Sequence, residues 1–533
     1  MAATEFINPI VPGFAPDPSV VFDDGLFFLV NSSFHVFPGL PIYASPDLQN
    51  WKQIGNAIHR PSQKIDLSEA NSVGFPIGPG KVLVATVGLV APTIRHHKGT
   101  FYVLCTNASH SPDGRSLITK NFYVTSKDIW SGEWSDPTWF DFTGIDTSLF
   151  FDDDDRAYIQ GSWREGLLTE TVCTIRQFEV DIGTGRSLSE TKELWKGFFG
   201  KDDAEGPHIY KKDGYYFLVT AECGTFEHHA ISVARSRDIW GPYESYEQNP
   251  ILTAFGTSEY IQNTGHGELF QDGSGRWWCT CLGIRNDHGR YPLGRETFLA
   301  PVSWSDGGWP RIKHPQMKFS RESPLSTASV IPLLQSIPRV DFLYIRDARL
   351  EDYTIDSDQL PADGSQVRIS LVPSQTTLST ETGTASFVGK RQRSLNCTVT
   401  ATLHLDQRVS PVEAGLAIYK EDLRHVEIYY DSATSTINYR QVLKLKGAAV
   451  SARKSVSVRA DMIKFRIKAE PHQYTFEYST DGKLGWVEVG KLDTLDITGY
   501  DFSGPILGVF ATTEDGDSKT PVRFNEFQIS GNS

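Results

Sequence analysis

Short runs of alternating apolar and polar residues fill the chain, and sustained 3.6-residue periodicity is scarce. Five segments share one layout. They are PDPSVVFDDGLFFLVNSS from Pro16, VAPTIRHHKGTFYVLCTN from Val90, IDTSLFFDDDDRAYIQGS from Ile145, AEGPHIYKKDGYYFLVTAE from Ala204 and GHGELFQDGSGRWWCTCLG from Gly265. Each opens on one distinctive residue, runs through a short alternating strand, turns on a polar stretch and returns in a strand rich in β-formers, which predicts a β-hairpin. The opening residues are Asp17, Ala91, Asp146, Glu205 and His266, spaced by 74, 55, 59 and 61 positions. Five repeats of about 60 residues, all strand, predict a five-bladed β-propeller over residues 1–315. In that architecture the first strand of each blade lines the axis. The five opening residues would therefore converge at one end of it.

The repeat fades near residue 315. KHPQMKFSRESPLSTASVIPLLQSIPRV is rich in Pro and Ser and reads as a linker over 316–339. From 340 to 533 the pattern is again strand: VRISLV, TVTATLHL, AGLAIYK, HVEIYYD, KFRIKAE, YTFEYS, ILGVFATT and VRFNEFQIS. This predicts a β-sandwich as an accessory domain, so the expected fold class is all-β, a propeller followed by a sandwich.

Charge then narrows the partners. A net charge of −14 with pI near 5.5 argues against nucleic acid or an anionic membrane surface and fits a neutral substrate. No apolar run is long enough for a transmembrane helix. No signal peptide is visible in MAATEFINPIVPGF. The expected location is cytoplasmic, or secreted if a leader was removed. Six cysteines without a C-x-x-C read as buried thiols rather than a disulfide framework or a zinc site.

Three of the opening residues are carboxylic acids. Hydrolysis of a glycosidic bond needs two such groups, one to give a proton and one to activate water or attack. Glu205 has the longer reach, which suits protonating a leaving oxygen. Asp17 suits a base acting on water. Asp146, a third negative charge nearby, would raise the pKa of Glu205 and keep it protonated.

The motifs GFAPDPS, GIDTSLFFDDDDRAYI, AEGPHIY, GHGEL and LGRETFLAPV, in this order, resemble glycoside hydrolase family 43 over about the first 315 residues. The second half resembles the sandwich of its two-domain β-xylosidases and α-L-arabinofuranosidases. The resemblance implies an inverting exo-glycosidase that releases a terminal pentose from xylan or arabinoxylan fragments, with Asp17 as general base, Glu205 as general acid and Asp146 as pKa modulator. It implies sugar-holding roles for His266 and Arg295 and an aromatic wall at Phe34. It also exposes departures. Val90 stands where the family commonly has Trp, which widens the expected pocket. Thr147 replaces a usual Pro, and Asp155 a usual turn Gly.

Trp163 and Phe502 are further candidates to stack on sugar, Phe502 from the second domain. No cofactor is expected to be required and no metal ligand set is assigned, with Ca²⁺ near the axis, by His266, as the alternative. The acids Asp152–Asp155 read as a solvated turn. Glu222, Glu268 and Glu296 read equally as sugar ligands or structural ion pairs. Two other functions stay open: a carbohydrate-binding propeller without chemistry, and an arabinan-degrading hydrolase.

Overall fold

The computed structural model describes residues 3–168, 172–200, 203–322, 337–356, 367–405, 411–444, 454–480, 485–516 and 519–531. It is all-β, with no α-helix among the described residues.

Five antiparallel sheets of four or five strands occupy residues 19–312. Their first strands are Ser19–Asp23, Gly88–His97, Gly144–Phe151, Glu205–Lys212 and Ile261–Gln271. Each is the innermost of its sheet and touches the first strand of the next sheet, and the fifth touches the first. Turn chemistry sets the hairpins. Asp24-Gly25, Lys98-Gly99 and Asp213-Gly214 have both residues at positive φ, the two-residue turn whose twist matches the strands it joins. The third and fifth hairpins use a longer turn instead. There Asp155, at φ 66°, takes the place that Gly275, at φ 79°, takes in the fifth. Both donate N–H back to an Asp carbonyl, Asp152 at 3.0 Å and Asp272 at 2.9 Å. Asp tolerates this conformation better than most residues, which explains the missing glycine.

The starts of the inner strands share a less common feature. Asp17, Ala91, Asp146 and His266 all lie in the left-handed region, at φ 53°, 42°, 58° and 42°. In the fourth sheet that place belongs to Gly206, at φ 56°, and not to Glu205. Gly206 lies sixty residues beyond Asp146 and sixty before His266, so the spacing from the sequence was one position out. Glu205 stands one position ahead of Gly206, where the third sheet has Ile145, and the third, fourth and fifth inner strands all carry a bulge at this point, after Ile145, after Glu205 and before Gly267. Such backbone costs about 1–3 kcal/mol per residue and concentrates at functional sites.

The N-terminal strand Ala3–Ile7 pairs with Lys318–Glu322, and the Asn8 side chain exchanges two hydrogen bonds with Leu299, tying the chain's start to the fifth sheet. Lys318–Glu322 falls in the expected linker. Most of the rest of that segment, 323–336, lies outside the described residues.

The second half forms an eight-stranded and a seven-stranded sheet around one apolar core, with Ile369, Val399, Leu416, Ile428, Phe465 and Phe476 at its centre. Two connections lock the halves together. Val36–Phe37, from the first half, is the last strand of the eight-stranded sheet, paired with Leu343–Ile345. Tyr500–Asp501, from the second half, adds in parallel to the hairpin Ser72–Gly78/Lys81–Thr86.

Candidate active site

At the end of the ring where the strained residues gather, a cavity of about 250 Å³ opens. Asp17, Asp146, Glu205, His266 and Arg295 form its charged side, and Phe34, Val90 and Phe502 line it as well. A wider groove, about 360 Å³, lies on the outer face of the seven-stranded sheet. Its one acid, Glu526, is paired with Lys464 at 2.8 Å, so it lacks the second carboxyl that hydrolysis needs.

The three acids are held differently. Asp17 is buried. It accepts a hydrogen bond from the Ser32 hydroxyl at 2.6 Å and pairs with Arg295 Nη1 at 3.2 Å. Ser32 in turn accepts the Ala91 N–H at 2.7 Å, so the second inner strand fixes the acid of the first. Burial acts to raise the Asp17 pKa. The Arg295 guanidinium, His266 and the Ser32 hydroxyl outweigh it and hold the carboxyl below its ordinary range.

Asp146 accepts the Gly206 N–H at 3.1 Å, and its carboxylate lies 3.9 Å from His266 Nδ1. Burial, then the charge of Asp17, pushes it up to about 7. Glu205 keeps one edge open to the cavity and is enclosed by protein elsewhere. Burial, then the nearby Asp146, pushes it up to about 7, while His266 and Arg164 pull the other way. The site thus keeps one acid readily ionised and two that share a reluctance to be charged together.

Gly206 has a second duty. A Cβ there would come within 3.0 Å of the His266 ring, so glycine lets the fourth and fifth inner strands close on each other. Asp146, Glu205 and His266 offer ligand atoms within 4.8 Å of one another. Calcium takes six to eight oxygens, and this trio supplies a ring nitrogen and two carboxylates.

Arg295 is the hub of the charged side. Besides Asp17 it donates to Thr225 Oγ1 at 3.1 Å, and its Nε and Nη2 donate to the Phe502 carbonyl at 3.2 and 3.0 Å. The Phe34 and Phe502 rings stack 6.1 Å apart, and the guanidinium lies 5.6 and 5.1 Å from their centres. The second half of the chain therefore supplies part of the wall.

Trp163 is not among the residues lining the cavity. Its ring packs edge-on against Phe142 at 5.4 Å, with Arg176 over it at 4.6 Å. Neighbouring residues of a strand face opposite ways, and it is Arg164 that lines the cavity. Phe226, Leu117, Leu168, Leu83, Ala85, Thr86 and Val87 also line the cavity, and no sequence motif points to them. Only their place between repeats marked them. The remaining acids are structural. Glu222 accepts the Phe198 and Phe199 N–H groups, Glu268 pairs with Arg95, and Glu296 pairs with Arg285 and accepts the Gly13 N–H.

Comparison with known proteins gives the family. Residues 6–310 match the model of glycosyl hydrolases family 43, and residues 359–530 match the beta xylosidase C-terminal concanavalin A-like domain. The chain is 32% identical to a non-reducing end alpha-L-arabinofuranosidase of Bacteroides ovatus, over 99% of this chain and 95% of that one. It is 33% identical to a xylosidase/arabinosidase of Butyrivibrio fibrisolvens, over 83% of each. Among solved structures, a xylan beta-1,4-xylosidase of Bacillus halodurans superposes with TM-score 0.82 at 26% identity, covering 98% of this chain and 100% of that one. The chain belongs to glycosyl hydrolases family 43 and is a glycoside hydrolase.

Proposed function

We propose that the protein is an exo-acting, inverting glycosidase that removes a terminal pentose from xylan- or arabinoxylan-derived oligosaccharides, as a β-xylosidase, an α-L-arabinofuranosidase or both. The observation that carries this reading is a pair of carboxyl groups in one cavity whose surroundings push their pKa values apart, Asp17 down and Glu205 up to about 7. The family membership and the names of the relatives support the sugar class.

Glu205, protonated, gives its proton to the glycosidic oxygen as the C1–O bond breaks. Asp17, ionised, takes a proton from the water that attacks C1 on the opposite face. The released sugar is inverted, and the two acids exchange protons with solvent before the next turn. Asp146 keeps Glu205 protonated and fixes the Gly206 turn beside it. Arg295 and His266 hold hydroxyl groups, with Phe34, Val90 and Phe502 as walls. The hairpin over 72–86 and the Phe502 segment enclose the cavity, which favours a chain end over the open groove an endo-acting arabinanase needs.

The five sheets are read as the blades of a propeller, with the cavity at the mouth of its axis. The ring of contacts among the inner strands supports this. The two larger sheets are read as the sandwich, with domain limits of 1–315 and 340–533 around a linker.

Xylobiose and arabinoxylan, digested separately and analysed by chromatography, test the substrate. Xylose from xylobiose makes it a β-xylosidase. Arabinose from arabinoxylan with xylobiose untouched makes it a debranching enzyme. No release from either, nor from arabinan, overturns the reading in favour of a binding protein. Proton NMR of the first-formed anomer tests inversion.

A further inference from the structure

The segment Tyr500–Ser503 reaches the cavity from the second half, and each of its residues is tied to a different part of the molecule. The Tyr500 hydroxyl donates to Glu227 at 2.5 Å, and Lys81 pairs with the same carboxylate at 3.1 Å. Asp501 pairs through its backbone with Val84. The Phe502 carbonyl takes two donors of Arg295. The Ser503 hydroxyl lies 3.3 Å from Glu421.

The Asp501 side chain points the other way, into a fully buried cluster. Its Oδ2 accepts from Lys420 Nζ at 2.7 Å and meets Arg424 Nη2 at 2.7 Å. Lys420 also donates to the Ile497 carbonyl at 2.8 Å, and Arg424 pairs with Glu421. Lys420, Glu421, Arg424 and Asp501 are each at most 4% exposed at the side chain. Two cations and two anions balance. Losing either anion leaves a buried charge uncompensated. Replacing such a cluster by apolar residues often costs nothing in stability, so stability alone gives little reason for it. The group it fixes does. It lies one residue from the carbonyl that orients Arg295, and Arg295 in turn holds Asp17.

We propose that Asp501 is a positioning residue for catalysis. Anchored by Lys420 and Arg424, it fixes the Phe502 carbonyl, which aims the Arg295 guanidinium at Asp17. The inference rests on the reading of Asp17 as base and deepens it. It makes a buried ion cluster of the second half part of the machinery that sets the base in the first.

A double-mutant cycle tests this, because residues acting through one another are not additive. Rates are taken per folded molecule on xylobiose or arabinoxylan, whichever the product analysis identifies. Asp501→Asn alone should lower kcat/KM roughly tenfold to a hundredfold, the scale of a small misplacement in an active site. In an Arg295→Lys background, which has already lost the two-pronged contact with the Phe502 carbonyl, Asp501→Asn should cost less than about twofold more, and Asp501→Glu should restore part of the single-variant loss. Additive losses overturn the proposal, because a merely structural role acts equally in both backgrounds. If Asp501→Asn does not fold, Lys420→Met, which leaves the Asp501–Arg424 pair in place, is carried through the same cycle with the same criterion. Asp17→Asn, measured alongside, separates the two levels. Retained turnover there defeats the reading of the base, whereas lost turnover with an additive cycle defeats only the positioning role.

Discussion

The two halves of the chain place their polar groups in opposite ways. In the second half the interior is one continuous apolar body between two sheets, and buried charges such as Lys420, Arg424 and Asp501 gather where it meets the first half. In the first half the apolar side chains are split into several clusters between neighbouring sheets, while the ring of inner strands carries Asp17, Asp146, His208 and Glu268, all buried, with Arg95 half-buried beside Glu268. A sheet packed on one partner hides a single face. A strand that lines an axis has polar neighbours on several sides and can bury charge, provided partners are supplied. The candidate acids thus sit in the first half and the largest apolar core in the second, with the Phe502 segment joining the two.

That division can be broken in measurable ways. The largest effect is expected at Glu205. Glu205→Gln should lower kcat/KM by about 10²- to 10⁴-fold, the range for a general acid, with the melting temperature at or above that of the parent. A loss below tenfold in product release would move the chemistry away from this axis. Asp17→Asn should fall in the same range. Next comes the apolar body. Phe476→Ala, at a fully buried position packed on Tyr439, should cost about 3–5 kcal/mol of stability in a urea titration and leave the turnover of folded molecules unchanged. A fall in turnover instead would mean the second half is more than a brace at that depth.

A smaller effect is expected at the wall. Val90→Trp narrows the cavity and should change the ratio of arabinose to xylose released by on the order of tenfold, read by chromatography on mixed substrates. An unchanged ratio would remove Val90 from specificity. The smallest is a shift in a pH profile. Glu205 must be protonated to act, so activity should fall as pH rises through about 7. Asp146→Asn removes a neighbouring negative charge that raises the Glu205 pKa, so the alkaline limb of the residual activity should move to lower pH. Movement to higher pH, or none, would show that Asp146 does not tune the acid.

Much of this was legible in the sequence, for a physical reason. Strand alternation and turn residues are local, so five hairpins and the strands of the second half could be read in short windows. Three acids at or beside repeat positions point to one place because a cyclic repeat brings like positions together. The misses have equally definite causes. Glu205 falls one position before the left-handed residue of its strand because Gly206 takes that conformation there, and a left-handed residue leaves no mark in a pattern of side-chain types. Trp163 was chosen for its ring, but strand geometry turns it outward and presents Arg164 instead. The Arg295 contact with Phe502 runs through a backbone carbonyl, which no side-chain pattern encodes. Val36–Phe37 spans two residues, too short for any periodicity.

That short strand bears on how the protein can be divided. It completes the edge of a sheet built otherwise from the far half of the chain, beside Leu343–Ile345. Cutting the chain between the halves would leave unpaired backbone donors and acceptors along that edge, the kind of border on which chains stick to one another. The same cut would take the Phe502 carbonyl from Arg295. A shortened enzyme made for convenience would therefore be expected to be both sticky and slow, and a fusion partner belongs at a chain end rather than at the seam.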